Sequence, residues 1–256
     1  MKCKVMGIVN VTPDSFSDGG KFFAPEEAVR RARNMVEDGA DFVDLGGEST
    51  RPGATPIGWE TEWSRIEPVL SELCGLKSAG SAGFSGVGLS VDTYHPETAK
   101  KALALGADVV NCVYAEPVEE MARLCADAGA ALVAPSGCRA SVRPILPPDA
   151  LLLDPMIGFG TTREEDLALI RSVPELAKEG RVLVGASRKR IVKKLTGEKV
   201  TGKNVGGNIG IAIWCVAHGA AAVRVHDVRE TVQAIKVLDA IGGEGWRQTP
   251  QTEVNG

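Results

Sequence analysis

The feature that most constrains this chain is a series of eight short apolar runs with helical patterns between most of them. The runs are Val5–Val9, Phe42–Leu45, Gly88–Val91, Val109–Val113, Ala131–Ala134, Leu151–Leu153, Val182–Val184 and Ala222–Val225. They are near-continuously apolar rather than alternating, the pattern of strands buried on both faces in a parallel sheet. A helix is predicted from Pro25, where proline suits the first helical position and Glu26 and Glu27 favour the positive end of the dipole. Its apolar side is Ala28, Val29, Ala32, Met35 and Val36, and a second helix carries Trp63, Ile66, Val69, Leu70 and Leu73 on one stripe. Gly39-Ala40, Gly106-Ala107, Gly129-Ala130 and Gly219-Ala220 each precede a strand, where glycine can close the preceding helix in the left-handed conformation.

Eight strands with helices between them predict an α/β fold, the (β/α)8 or TIM barrel. The 256 residues match one such domain, which takes about 250. An open doubly wound sheet is the alternative, and no dinucleotide-type glycine fingerprint supports it. Residues 1–241 form the barrel in this reading, and the polar, glycine-rich stretch 242–256 is a flexible C-terminal tail. One unit is defective. Between Ala134 and Leu151 stand Pro144, Pro147 and Pro148 with little helical pattern, so the crossover after the fifth strand is expected to be short and to lack a regular helix.

Lysine and arginine total 29 against 33 aspartate and glutamate, a net charge of −4, which argues against a general nucleic-acid surface. No apolar run approaches a membrane span. The apolar start is interrupted at Asn10, which argues against a secretory signal. None of the six cysteines sits in a CxxC pair, so the expectation is a cytoplasmic protein with free thiols.

In such a barrel the site lies at the C-terminal ends of the strands. The first run ends in Asn10, and the second runs through Asp44 into Gly46-Gly47-Glu48-Ser49-Thr50-Arg51. The third ends in Asp92, the fourth contains Asn111, and the sixth ends in Asp154. The seventh leads to Ser187-Arg188-Lys189, and the eighth delivers Arg224, His226 and Asp227. Arg51, Lys189, Arg224 and His226 can bind an anion, with Asn10 and Thr50 adding neutral contacts; several cations from several strands suggest phosphate or pyrophosphate. Asp92, Asn111 and Asp154 form a second set. A buried carboxylate can accept two N–H bonds from a 2-amino-pyrimidinone edge, and an asparagine both donates and accepts. Asp44 reads equally as a residue that hydrogen-bonds a neighbouring loop, Arg188 equally as a surface residue, and His218 as structural.

Asn10-Val11-Thr12-Pro13-Asp14-Ser15-Phe16-Ser17-Asp18-Gly19-Gly20 resembles the first signature of dihydropteroate synthases, and Asp44-Leu45-Gly46-Gly47-Glu48-Ser49-Thr50-Arg51-Pro52-Gly53 the second. Ser90-Val91-Asp92-Thr93, Ser187-Arg188-Lys189 and Arg224-Val225-His226-Asp227-Val228 are similar to later ones, in the same order. That resemblance implies an enzyme that joins 6-hydroxymethyl-7,8-dihydropterin pyrophosphate to p-aminobenzoate, releasing pyrophosphate, in folate synthesis. It implies that Asp92, Asn111, Asp154 and Lys189 hold the pterin. Asn10, with Mg²⁺, and Thr50, Arg51, Arg224 and His226 would hold the pyrophosphate, and Pro52 and Ser187 would lie near the arylamine. Asp92, Lys189 and Arg51 are its catalytic candidates. Loops 11–21 and 48–57 would close over the site. A homodimer is implied too, for which the apolar segment Ile209–Val216 could serve, although core packing explains that segment equally well.

The chain departs from the pattern it resembles. Cys112 stands where aspartate usually follows the asparagine, Met156 replaces a glycine and Thr161 a lysine in the sixth-strand motif, and Ala134-Pro135-Ser136 leads into the short crossover. The Cys112 and crossover changes are expected to touch the pterin pocket, and Cys112 and Cys138 to be inert thiols near the ends of adjacent strands. A pterin-dependent methyltransferase and a non-catalytic or altered-substrate pterin-binding relative are the rival readings; the anion-binding set favours the synthase.

Overall fold

The computed structural model describes residues 2–12, 25–49, 54–81, 83–200 and 202–243. Eight parallel strands close into a barrel in sequence order: β1 (Lys4–Asn10), β2 (Phe42–Gly46), β3 (Gly88–Asp92), β4 (Val109–Asn111), β5 (Ala131–Pro135), β6 (Leu151–Asp154), β7 (Arg181–Val184) and β8 (Ala222–Val225). β8 pairs back onto β1, with Ala222 opposite Lys4 and Val225 opposite Gly7. Around them run α1 (Pro25–Glu37), α2 (Trp59–Ser78), α3 (Pro96–Leu105), α4 (Val118–Ala128), α5 (Arg139–Val142), α6 (Arg163–Arg171), α7 (Val173–Glu179), α8 (Arg190–Thr196), α9 (Val205–Ala217) and α10 (Val228–Gly242). The predicted tail falls, but for residues 242 and 243, outside the described residues.

The apolar stripe of α1 is buried as its spacing predicts: Ala28, Val29, Ala32, Met35 and Val36 all face the strands. On α2, Ile66, Val69, Leu70 and Leu73 are buried, Trp63 is half-buried, and Glu62 is unexpectedly among the buried residues. The four Gly-Ala signals all mark left-handed glycines, with φ of 99° at Gly39, 117° at Gly106, 68° at Gly129 and 97° at Gly219.

Strand parity assigns each residue its side. Met6, Val109, Val133, Leu152, Leu183 and Ala222, with Phe42 and Ala131, form an apolar plug inside the barrel. The alternate residues, such as Val43, Leu45, Leu89 and Val91, pack outward against the helices. Gly88 has no side chain for a steric reason: a Cβ there would lie 2.2 Å from the Phe42 ring, which fills the barrel floor. Two residues further along several strands the lumen becomes polar: Phe42 gives way to Asp44, Val109 to Asn111, Leu152 to Asp154 and Ala222 to Arg224.

The crossover after β5 is short, as expected: one 3-10 turn at Ser136–Cys138, then the single turn of α5. The flank is nevertheless covered. Val142 and Leu146 are buried in the cluster formed by α4, β4, β5 and β6, with Ile145 packed at its edge. Burying two such side chains contributes about 1.5–3 kcal/mol each.

Candidate active site

The polar upper lumen is built around Arg224. Its Nε donates to Asp44 Oδ2 at 2.6 Å and its Nη2 to Asp92 Oδ2 at 2.6 Å. Asp44 is fully buried and also accepts from Ser90 Oγ at 2.5 Å and Asn111 Nδ2 at 3.3 Å. Asp44 is thus a counter-ion inside the barrel rather than a loop anchor. Burial alone would lower the pKa of Arg224, but the Asp44 and Asp92 carboxylates overcome it and leave it above its ordinary value. The residue reading separated anion-binding cations from ring-binding carboxylates; the structure interleaves them.

Asp92, Asn111 and Asp154 open onto this lumen from β3, β4 and β6, with Asn111 1% exposed. Burial raises the Asp92 pKa to about 7 against the pull of Arg224, and it raises that of Asp154 against Lys189. Asp92 Oδ1 and Asn111 Oδ1 are buried acceptors with no hydrogen-bond partner among the described residues. Such acceptors are costly to leave unmet and mark where a donor is wanted.

Lys189 follows β7 and reaches across to the segment after β6. Its Nζ donates to the Ile157 carbonyl at 2.6 Å and lies 4.2 Å from the centre of the Phe159 ring. Burial lowers its pKa to about 8, with Asp154 opposing the shift. Ser187 and His226 meet at the rim, 3.1 Å between Oγ and Nδ1, and the His226 amide donates to the same hydroxyl at 3.2 Å. Asn10 ends β1, half-buried, beside the bare backbone of Gly46; a Cβ on Gly46 would lie 3.8 Å from Asn10 Oδ1 and 3.7 Å from Asp92 Cβ. Thr50, Arg51 and Pro52 lie outside the described residues, as do all but Val11 and Thr12 of the first predicted loop and residues 50–53 of the second.

Sequence reasoning undervalued three supports. Arg188 is not a plain surface residue: its Nη2 donates to Asp227 at 2.6 Å and its amide to Asn208 Oδ1 at 2.9 Å. Asn208 in turn donates to Asp227 at 3.1 Å, which fixes the backbone just before Lys189. Phe159, over the Lys189 ammonium, carried no signal beyond its aromatic character.

Residues 6–143 and 136–226 match the profile of the family "Pterin binding enzyme". Dihydropteroate synthase of Neisseria meningitidis serogroup B is 38% identical, over 94% of this chain and 93% of that one. The chain belongs to the dihydropteroate synthase family. These are transferases of folate biosynthesis. Dihydropteroate synthase of Xanthomonas albilineans, solved with 4-aminobenzoic acid, superposes with a TM-score of 0.84 at 35% identity, covering 94% of each chain. The same enzyme solved with 7,8-dihydropteroate gives 0.82 at 32%, again over 94% of each.

The departures from the family pattern now have physical accounts. Cys112 turns away from the lumen, contrary to the expectation that it touches the pocket. Asn111 points into the lumen, so its neighbour points out, and Cys112 is buried in the apolar cluster beside α4. Its Sγ donates to the Tyr114 carbonyl, and burial pushes its pKa up to about 11; burial also raises that of Cys138, which disfavours the thiolate at both. None of the six cysteines forms a disulfide. Met156 occupies the family's glycine position with φ of 66°, in the left-handed region, held by its amide donating to Asp154 Oδ1 at 2.7 Å. Thr161 substitutes for lysine by donating to Asp166 at 2.5 Å, and the Gly158 amide donates to both. His218 is structural, stacked on Trp214 at 3.9 Å. Trp214 itself packs partly buried into the cluster around β7 and α8.

Proposed function

We propose that this chain condenses 6-hydroxymethyl-7,8-dihydropterin pyrophosphate with p-aminobenzoate, giving 7,8-dihydropteroate and pyrophosphate. The observation that carries this reading is the pair of buried, unpartnered acceptors, Asp92 Oδ1 and Asn111 Oδ1, at the floor of a cation-bearing barrel mouth. Two acceptors at that depth suit the N–H edge of a 2-amino-pyrimidinone ring. Asp154 and Lys189 complete the pterin contacts. Arg224, with His226, Thr50 and Arg51, receives the pyrophosphate.

In the reaction the CH₂–O bond breaks, and its electron pair leaves with the pyrophosphate. Fixed cations stabilise that charge as it develops, and the carboxylates of Asp92 and Asp154 stabilise the positive pterin methylene. The arylamine nitrogen, held near Ser187 and Pro52, supplies the pair for the new C–N bond and then loses a proton. An aniline needs no strong base. Asn10 offers a neutral amide oxygen beside side-chain-free Gly46, which fits a hard cation taking its remaining ligands from pyrophosphate and water. Mg²⁺ there would neutralise leaving-group charge.

A homodimer in the cytoplasm is the accompanying assignment. The cytoplasmic part is consistent with six cysteines that form no disulfide and with no described helix long and apolar enough to cross a membrane. Turnover decides the activity. Purified protein, Mg²⁺ and both substrates should release pyrophosphate and yield dihydropteroate by mass. Lys189→Ala should lower kcat/KM by about 10²–10³. Pyrophosphate release without coupling would mean a different arylamine. Pterin binding without turnover would mean a non-catalytic relative.

A further inference from the structure

Outside the lumen, three side chains from different elements converge near the ends of β2 and β3. They are Glu48, just past β2, Glu62 in the first turn of α2, and His95, the residue preceding α3. One ligating atom from each lies within 4.8 Å of the others, and His95 Nε2 is 3.0 Å from Glu48 Oε2. The Glu48 side chain is 5% exposed and Glu62 is fully buried. Thr93 Oγ1 donates to Glu62 Oε2 at 2.6 Å, the Thr98 hydroxyl adds a weaker contact to the same carboxyl, and Glu62 Oε1 has no partner at close hydrogen-bond distance among the described residues. Among the described residues, neither carboxylate forms an ion pair with lysine or arginine. Two buried carboxylates therefore face a single imidazole, and an uncompensated buried carboxylate oxygen is costly.

We propose that Glu48, Glu62 and His95 form a site for a divalent transition cation of the zinc class, separate from the substrate-linked cation at Asn10. One imidazole nitrogen and two carboxylate oxygens are a donor set such cations accept, and three protein ligands leave a position for water. The ligands already have supports behind them. Tyr94 donates to Glu48 Oε1 at 2.5 Å and the Ile57 amide donates to it at 3.2 Å, while Thr93 orients Glu62. The cation would tie the segment after β2 to α2 and to the turn before α3.

The test is calorimetric titration of the chelator-treated full chain with ZnCl₂ alone, without substrates, read with the metal content after dialysis. Wild type should bind one equivalent. Glu62→Gln and His95→Lys should each weaken binding by about 10- to 100-fold. His95→Lys removes the imidazole donor while its ammonium can still hydrogen-bond Glu48. It therefore decides the matter if Glu62→Gln fails to fold. The proposal is overturned if folded wild type shows no saturable binding, or if folded His95→Lys binds zinc as wild type does, which would place the metal on thiols instead.

Discussion

The lower and upper halves of the barrel lumen are built by the same strands, two residues apart, and share almost nothing chemically. Below, Met6, Phe42, Val109, Leu152, Leu183 and Ala222 interlock as an apolar plug. Above, Asp44, Ser90, Asp92, Asn111, Asp154 and Arg224 form a charged, hydrogen-bonded layer. The plug gains from dehydration, whereas the upper layer holds charges out of water, with Asp44 and Asp92 both paired to Arg224. One pleat repeat separates the part that stabilises from the part that recognises.

The largest effect should come from breaking the upper layer at its hub. Arg224→Met strands Asp44, which is fully buried, and should destabilise by about 3–5 kcal/mol while abolishing turnover. Denaturant unfolding with a parallel activity assay would show both; an active, equally stable variant would refute the account. Leu183→Ala in the plug should cost a comparable 2–5 kcal/mol, roughly, yet leave the KM of the folded fraction unchanged. A large KM change there would erase the distinction between the halves.

A smaller effect sharpens the electrostatics of the upper layer. Asp92 must be ionised to accept from the pterin, so kcat/KM should fall as pH drops below about 7. Lys189 must be protonated, so kcat/KM should also fall as pH rises above about 8. Lys189→Arg should remove the alkaline limb, because guanidinium stays charged; an unmoved limb would assign it to another group. The smallest effect is conformational. Met156→Gly relieves a positive φ and should stabilise by about 1 kcal/mol, measured as a rise in Tm.

The strands were legible because the code for a buried parallel strand is local: each predicted run coincides with an observed strand to within two residues at either end. So was the rim, since a polar residue terminating an apolar run has few other places to go. The partnership of Asp44 was not legible, because its counter-ion lies 180 residues away and only barrel closure brings them together. The side taken by Cys112 could have been read from parity once Asn111 was placed inward. The Glu48, Glu62 and His95 cluster has no motif spacing at all; it exists through the docking of α2 beside the β3 exit. The covering of the short crossover was equally hidden, since Val142 and Leu146 sit in a proline-rich stretch with no periodicity.

Strand parity has a consequence for how such a sequence can drift. Within Phe42–Gly46, deleting a single residue would turn Asp44 outward against α2 and push Val43 or Leu45 into the lumen, so recognition and folding would fail in one mutational event. Between Ser136 and Ala150, where no strand is counting, residues can be gained or lost as long as something apolar lands where Val142 and Leu146 now sit. The length polymorphism of this lineage should therefore concentrate in that crossover and be absent from the staves.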